Sequence, residues 1–230
     1  MVDAMLKERR VVGAHDFTHA SMGGRFAAGK FYVTAAHSDA FMDAYGECMD
    51  AGLFGAFSLV ERHRHIGPVV VDIDLRQPGP ERAYTAADAD AFAMALMAEV
   101  RRLVAVPSLR CFLLEKPAPR MNKSGGYKDG LHIVIPDAVT RPELQVALRR
   151  VMLPRVAELF GDGRFTTSPE DMYDEAVISR NGWMMYGSKK PDESAPWLVT
   201  RMYEAVDGDG VSSAVPRLVP VGMKPTPDTN

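Results

Sequence analysis

The segment Val69–Leu75, which reads VVVDIDL, decides how the rest of the chain is interpreted. Its β-branched and apolar residues, entered through Gly-Pro and followed by a Pro- and Gly-rich stretch, predict a strand. Residues two apart on a strand point to the same face and lie about 7 Å apart along the chain. Asp72 and Asp74 therefore share one face, and the apolar side chains beside them point to the other.

Two carboxylates this close repel each other unless a cation lies between them. The apolar run around Asp72 and Asp74 favours a buried central strand, where an unpaired carboxylate is costly. Mg²⁺ or Mn²⁺, which binds carboxylate oxygens together with substrate phosphates, fits this pair. An Asp-x-Asp pattern also occurs on strands whose polar face is simply solvated, and the two residues alone do not separate these alternatives.

A second stretch, Lys123–His132 (KSGGYKDGLH), combines glycines, lysines and a histidine at the start of an apolar run. Glycines let backbone N–H groups approach a phosphate closely, and Lys128 can neutralise its oxygens. His132 would donate a hydrogen bond to a phosphate or orient the substrate. An exposed hairpin turn with solvated lysines explains the same pattern without a ligand.

A third stretch, Tyr173–Lys190, supplies one more carboxylate and a basic turn. The candidates within it are Asp174, Arg180, Ser188, Lys189 and Lys190. No Gly-x-x-x-x-Gly-Lys-Ser/Thr pattern occurs in the chain, which excludes a P-loop ATPase. Taken with the first two stretches, this one predicts a two-metal phosphoryl-transfer site.

In that site the three carboxylates Asp72, Asp74 and Asp174 would hold two ions, either Mg²⁺ or Mn²⁺. Lys128, His132 and Lys190 would then neutralise a triphosphate.

The composition limits the classes of protein to which the chain can belong. The 230 residues, 47% hydrophobic and 25% charged, fit one large globular domain or a domain with a small appendage. The net charge of −3 weighs against a strong stand-alone DNA binder. The two cysteines, Cys48 and Cys111, are too few for a zinc cluster, and the absence of a secretory pattern favours reduced thiols. With no apolar stretch of membrane-spanning length, we expect a soluble intracellular protein with no membrane partner.

Hydrophobic periodicity predicts alternating strands and helices in two halves, an α+β or α/β fold with a mixed sheet. We expect strands at 30–34, 56–60, 69–75, 110–115 and 131–135, with shorter ones near 183–187 and 197–203. Helices are expected at 39–49, from Thr85, and from Thr140, with Pro136 ending a strand and Pro154 kinking or ending a helix. Residues 1–206 would form the catalytic domain, and 207–230 a Gly/Pro-rich linker or disordered tail.

The order of these patterns resembles the archaeo-eukaryotic primase superfamily. Asp-x-Asp, then Lys-x-x-x-His, then Asp followed by Asn-x-aromatic and Gly-Ser-x-Lys is similar to its three motifs, and most similar to the primase parts of primase-helicases of large DNA viruses. The N-terminal stretches 18–22 and 29–33 also resemble the viral group. The resemblance runs from about residue 18 to residue 204.

The resemblance implies a two-part primase-polymerase core: an N-terminal αβ unit and a unit like an RNA-recognition motif, with the catalytic site between them. Asp72, Asp74 and Asp174 match the metal-binding carboxylates. His132 matches the nucleotide-binding histidine. Lys128 matches the basic residue before that histidine, and Lys190 matches the triphosphate-contacting lysine.

Two positions depart from the family pattern. Gly130 stands where a serine is common, and Met184 where an arginine is common. Both changes would remove a phosphate or metal-shell hydrogen bond, which Arg180 or Lys189 would have to replace.

The function implied is DNA primase or primase-polymerase activity: nucleotidyl transfer from an NTP or dNTP to a 3′-hydroxyl on a single-stranded DNA template. A replicative helicase domain or subunit is the expected partner, and the host cytoplasm or nucleus the expected compartment. Two alternatives stay open. One is a catalytically weak primase-like module for nucleic-acid binding or replication initiation. The other is an Asp-x-Asp metal-dependent glycosyltransferase or nuclease.

Overall fold

The computed structural model describes residues 2–12, 16–24, 27–193, 195–206 and 217–219. Two compact units account for them. Unit 1 comprises residues 1–66 and 176–198, and unit 2 comprises 67–175 and 199–230. The chain thus passes from unit 1 to unit 2, returns to unit 1 and ends in unit 2. The expected two-part core is confirmed.

Unit 1 is built on a five-stranded sheet with the order β1-β3-β2-β4-β9 and antiparallel pairings. The strands are β1 (Arg10–Val11), β2 (His19–Ser21), β3 (Gly29–Phe31), β4 (Leu59–Glu61) and β9 (Trp183–Met184). Its helices are α1 (Val2–Lys7), α2 (Ala35–Asp50) and α6 (Ala176–Ser179). Phe41 and Tyr45 of α2 share a buried cluster with Phe31 and Leu59 of the sheet, so one sheet face forms the core of this unit.

Unit 2 is built on a six-stranded sheet in which β11-β10-β6-β8-β5 form the main path and β7 pairs with β8. The strands are β5 (Gly67–Gln77), β6 (Ser108–Glu115), β7 (Arg120–Met121), β8 (Tyr127–Thr140), β10 (Leu198–Val206) and β11 (Arg217–Val219). Its helices are α3 (Ala86–Leu103), α4 (Pro142–Phe160) and α5 (Pro169–Met172). The order β5, α3, β6, β8, α4, β10 is a βαββαβ succession, in which β8 lies between β5 and β6 as in a split βαβ motif.

One face of the unit 2 sheet is covered by α3 and α4. Val71, Ile73 and Leu75 of β5 are fully buried and belong to the same core cluster as Phe92 of α3 and Leu148 of α4. The opposite face of β5 and β8 is the one that carries polar side chains. The alternation predicted for 69–75 is therefore confirmed, and it positions the candidate site.

Several expectations about the elements need correction. The sheets are not mixed: the described strand pairings with known register are all antiparallel, so the fold is α+β. The strand β5 is not a central strand, because it lies at the edge of its sheet. Its outer edge is covered by the chain around Tyr173, which forms a bridge to Ile73.

Neither proline breaks its element. The strand β8 runs through Pro136 because its register with β5 shifts there: Val69 pairs with Ile135 and Pro68 with Val139, which leaves three β8 residues in a bulge. A proline is tolerated in a bulge because no ladder hydrogen bond is required of it. Pro154 lies within α4, which continues to Phe160.

The predicted tail falls mostly outside the described residues, since 207–216 and 220–230 are not among them. Residues Arg217–Val219 within it form β11, which pairs with β10. None of the helices in the described part of the chain has the length and apolar character needed to cross a membrane.

Candidate active site

The candidate site lies on unit 2, on the polar face of two paired strands. Asp72 of β5 is directly opposite His132 of β8, and Asp74 is opposite Gly130. The Nε2 atom of His132 lies 3.4 Å from Oδ1 of Asp72. The Nζ atom of Lys128 donates to Oδ2 of Asp74 at 2.7 Å. The first two motifs, more than fifty residues apart in the chain, therefore meet in one cluster of charges.

Several neighbours shift the pKa of the Asp74 carboxyl in opposite directions. Desolvation raises the pKa of its carboxyl, and the neighbouring Asp72 carboxylate raises it further. Lys128, by its charge and its hydrogen bond, and His132, by its charge, act in the opposite direction without cancelling the rise. A divalent cation beside these two carboxylates would relieve the same repulsion.

The third motif reaches the site through the backbone of Asp174. Its N–H donates to the carbonyl oxygen of Asp72 at 3.0 Å, next to the bridge between Ile73 and Tyr173. Arg149 of α4 holds this segment, because its Nε donates to the carbonyl oxygen of Tyr173 at 2.8 Å. The guanidinium of Arg149 also lies 3.4 Å from Glu175.

The described residues do not form a ready-made metal site with three side-chain ligands. Within the described ranges, no three or more His, Cys, Asp or Glu side chains are grouped closely enough to hold an ion. The donor set nevertheless suits Mg²⁺ or Mn²⁺, which typically take one or two carboxylates and complete their shell with water and substrate phosphates. Asp72 and Asp74 supply such a pair, and the backbone of Asp174 lies beside them.

The remaining predicted residues belong to unit 1. Arg180 and Lys190 are exposed, and Lys189 is half-buried with its Nζ donating to the carbonyl oxygen of Glu193 at 2.7 Å. Their approach to a nucleotide stays a prediction.

Ser188 needs a correction. Its side chain is 0% exposed, and its hydroxyl accepts from the N–H of Leu59 at 3.2 Å and hydrogen-bonds Tyr45 at 2.9 Å. In this arrangement it has no surface on which to meet a phosphate. Its role is to join β4, α2 and the turn that follows β9.

The local structure explains why glycine occupies position 130. A Cβ built at this position would lie 1.9 Å from the carbonyl oxygen of Ile73, so the family's usual serine does not fit this backbone. Close approach of β8 to β5 is therefore what requires glycine here.

Sequence reasoning missed two arginines near the site. Arg76 pairs with Lys128, and Lys128 pairs with Arg120 of β7, so all three point to the same face as the carboxylates. The alternation Asp72-Asp74-Arg76 could have indicated Arg76. No local signal marks Arg120, because its position follows from the strand register.

Comparison with known proteins shows the family to which the chain belongs. The family described as "C962R protein N-terminal AEP domain", where AEP denotes archaeo-eukaryotic primase, matches residues 18–203. The chain belongs to this primase family. All three motif stretches fall within the matched range, which includes residues of both units.

Two viral relatives of this primase domain carry helicase names. "Putative helicase L207/L206" of Acanthamoeba polyphaga mimivirus is 28% identical over 184 residues, covering 77% of this chain and 19% of the relative. "Putative helicase 184R" of Invertebrate iridescent virus 6 is 26% identical over 224 residues, covering 85% of this chain and 22% of the relative. The chain therefore spans about a fifth of the length of these curated relatives.

Proposed function

We propose that this chain is the catalytic domain of a DNA primase or primase-polymerase in viral-type DNA replication. It would transfer a nucleotidyl group from an NTP or dNTP to a 3′-hydroxyl on a single-stranded DNA template. The observation that carries the proposal is the pairing of Asp72 and Asp74 with His132 and Lys128 on one sheet face. Membership of the primase family supports the same conclusion.

The charges on this face suit the reaction. The 3′-hydroxyl oxygen would form a bond to the α-phosphorus as the bond to the bridging oxygen breaks and pyrophosphate leaves. Two divalent ions, Mg²⁺ or Mn²⁺, would neutralise the charge on the attacking and leaving oxygens. Asp72 and Asp74, with Asp174, would hold them.

The basic residues would act on the phosphates. Lys128 would exchange its bond to Asp74 for one to a phosphate oxygen once the carboxylate is occupied by a cation. His132 would orient the nucleotide, and Lys190, Lys189 and Arg180 would contribute from unit 1. Most of the rate enhancement would come from positioning and preorganised charge.

A replicative helicase domain or subunit is the partner we propose, because both viral relatives are named as helicases and the chain spans only about a fifth of their length. The template strand and the nucleoside triphosphates would be its other ligands.

A catalytically weak module for nucleic-acid binding or replication initiation is the second candidate. It is favoured by Met184, which stands where the family's arginine is common, and by the absence of a preformed three-residue metal group among the described residues. A glycosyltransferase or nuclease is disfavoured by the family match.

The proposal is tested with a primer-synthesis assay on single-stranded DNA, with labelled nucleotide and Mg²⁺ or Mn²⁺. We expect Asp72→Ala or Asp74→Ala to abolish synthesis, a loss of at least about a hundredfold if charge stabilisation of the transition state is removed. Circular dichroism should show that both variants remain folded.

The matched control is Glu143→Gln, which removes an exposed carboxylate from α4 of the same unit and should retain full activity. If either aspartate variant makes primers at the parental rate, the assignment of the site is wrong. If the parental chain binds single-stranded DNA but incorporates no nucleotide with either ion, the second candidate replaces the first.

A further inference from the structure

Residues 169–175, called the edge segment here, cover part of the outer edge of β5. Within it, Tyr173 forms a bridge to Ile73, and the N–H of Asp174 donates to the carbonyl oxygen of Asp72 at 3.0 Å. The bridge is isolated and does not extend into a ladder of paired residues. Because segments with few backbone hydrogen bonds open locally at low cost, the position of Asp174 depends on what else holds the edge segment.

Arg149 of α4 contacts the edge segment on both sides of Asp174. Its guanidinium donates to the carbonyl oxygen of Tyr173 at 2.8 Å and to that of Glu170 at 2.5 Å. It also lies 3.4 Å from the carboxylate of Glu175. The Arg149 side chain is only 11% exposed, so most of it is shielded from water. One guanidinium thus fixes the residues before and after the carboxylate of the third motif.

The chemistry of arginine suits these contacts. A guanidinium is planar, stays charged, and presents five N–H donors in fixed directions. The Nε, Nη1 and Nη2 atoms of Arg149 each meet a different residue of the edge segment. The same guanidinium lies 5.8 Å from the ring of Tyr173, which is buried and packs against Phe92 of α3. A lysine ammonium, which is a point charge on a flexible chain, does not reproduce this set of contacts.

The helix that carries Arg149 is itself fixed to β5 one turn earlier. The side-chain oxygen of the buried Gln145 accepts from the N–H of Val70 at 3.3 Å, and its amide nitrogen donates to the carbonyl oxygen of Pro68 at 2.9 Å. Residues four apart on a helix lie on the same face, so Gln145 and Arg149 are neighbours. Arg149 therefore reaches the edge segment from a helix whose position beside β5 is already set.

We propose that Arg149 is a positioning residue for the metal site, which holds Asp174 beside Asp72 so that both carboxylates can bind a divalent ion. The inference rests on the proposed function, because it takes Asp174 to be a metal ligand. Residues that orient a ligand without binding the ion typically change metal affinity by roughly tenfold to a hundredfold. In this role Arg149 acts through Asp174.

Hydrogen exchange tests the positioning without metal or substrate. The amide of Asp174 should exchange on the order of tenfold faster in Arg149→Gln than in the parent, because its bond to the Asp72 carbonyl opens more often. Amides of β8 should exchange as in the parent. Arg150→Gln removes the next cation on α4, which is exposed, and is the charge-matched control. Unchanged exchange of the edge segment in Arg149→Gln would overturn the inference.

Mn²⁺ affinity tests the consequence for the site. Electron paramagnetic resonance of free Mn²⁺, titrated into the full chain with a non-hydrolysable nucleoside triphosphate, measures this affinity without turnover. Arg149→Gln and Asp174→Asn should each raise the Kd for Mn²⁺ by roughly tenfold or more. The double variant should bind no more weakly than Asp174→Asn alone, because Arg149 acts through Asp174. Additive losses, or parental affinity in either single variant, would contradict the inference.

Arg149→Lys separates the geometry of the guanidinium from its charge and from loss of folding. It keeps a cation but loses the planar set of donors, so it should weaken Mn²⁺ binding nearly as much as Arg149→Gln. Parental affinity in Arg149→Lys would show that charge alone suffices, and the positioning role would be wrong. If Arg149→Gln exchanges faster throughout β8 as well, its fold is lost and Arg149→Lys decides the question.

Primer synthesis then separates this inference from the function on which it rests. If the parent synthesises primers and Arg149→Gln matches it in exchange and in Mn²⁺ affinity, the inference is wrong and the function stands. If Arg149→Gln loosens Asp174 and weakens Mn²⁺ binding but the parent incorporates no nucleotide, the inference stands and the function is wrong. Where both are right, higher Mn²⁺ concentrations should restore synthesis by Arg149→Gln and not by Asp72→Ala.

Discussion

At the residue scale, Gly130 shows how one position can be misinterpreted from a family pattern. The missing serine suggested a lost phosphate contact. In the structure the backbone of β8 approaches β5 so closely here that a side chain would meet the carbonyl oxygen of Ile73. The glycine is thus required by the local packing of this chain.

This gives a stability prediction. Gly130→Ser should lower the free energy of unfolding by about 1–3 kcal/mol, because two paired strands must move apart to admit a Cβ. Urea unfolding followed by far-UV circular dichroism measures the change. Gly79→Ser, in the same unit with open space around it, should leave stability nearly unchanged. Equal stability of Gly130→Ser and the parent would contradict the observed strand approach.

His19 in unit 1 gives a prediction about pH. Burial, and to a smaller degree the charge of Arg64, lowers the pKa of His19 to about 4 from 6.5. The unfolded chain therefore binds a proton between these values that the folded chain does not, and stability falls as pH drops from 6.5 towards 4. The loss should be about 3 kcal/mol at most.

The two tryptophans, Trp183 and Trp197, both lie in unit 1, so fluorescence-detected urea unfolding follows this unit selectively. His19→Gln should flatten the dependence of stability on pH between 6.5 and 4. His37→Gln, at an exposed histidine of α2, should preserve it. The same slope in the parent and in His19→Gln would show that another group is responsible.

At the element scale, long periodic segments were predictable and short ones were not. The alternation in 69–75 and the helical spacing of Phe92, Leu96 and Val100 correspond to β5 and α3. Strands of two or three residues, such as β1, β2 and β7, carry no period and were missed. The helical spacing of Leu144, Leu148, Val151 and Met152 predicts one buried face on α4, but Val151 is 56% exposed.

The sequence predicts a helix from Thr85, and the structure shows a complete capping box at the start of α3. The Thr85 hydroxyl accepts from the Asp88 N–H, and the Asp88 carboxylate accepts from the Thr85 N–H. Asp88 is also bonded to Arg164 at 2.9 Å. The cap thus ties the helix to the segment that follows α4.

Thr85→Ala should destabilise the chain by about 1 kcal/mol, since one N-terminal N–H of the helix loses its acceptor. Thr85→Ser keeps a hydroxyl and should cost much less. Urea unfolding by circular dichroism distinguishes the two, and equal loss in both variants would argue against the cap.

At the scale of the whole molecule, the candidate site was only partly predictable. The period of a strand predicts that Asp72 and Asp74 share a face. The family resemblance predicts that they lie near Lys128 and His132, as the register shows. The contact of Asp174 with Asp72 depends on an isolated bridge between residues a hundred positions apart, and the alignment of Arg76 and Arg120 with Lys128 depends on strand register. Sequence patterns encode neither directly, because both arise from how distant strands align.

The predicted site residues are distributed over both units. The carboxylates, Lys128 and His132 belong to unit 2, whereas Arg180 and the basic turn at 187–190 belong to unit 1. Binding of one nucleotide by both groups of residues stays a prediction.

The most direct test of the central claim is the anomalous scattering of Mn²⁺ in crystals soaked with and without a nucleoside triphosphate. Because no three-residue metal group is preformed among the described residues, Mn²⁺ should bind weakly without nucleotide and strongly with it. The account predicts nucleotide-dependent peaks bridging Asp72 and Asp74, with Asp174 beside them. Strong peaks elsewhere, and none at these carboxylates in the presence of nucleotide, would contradict it.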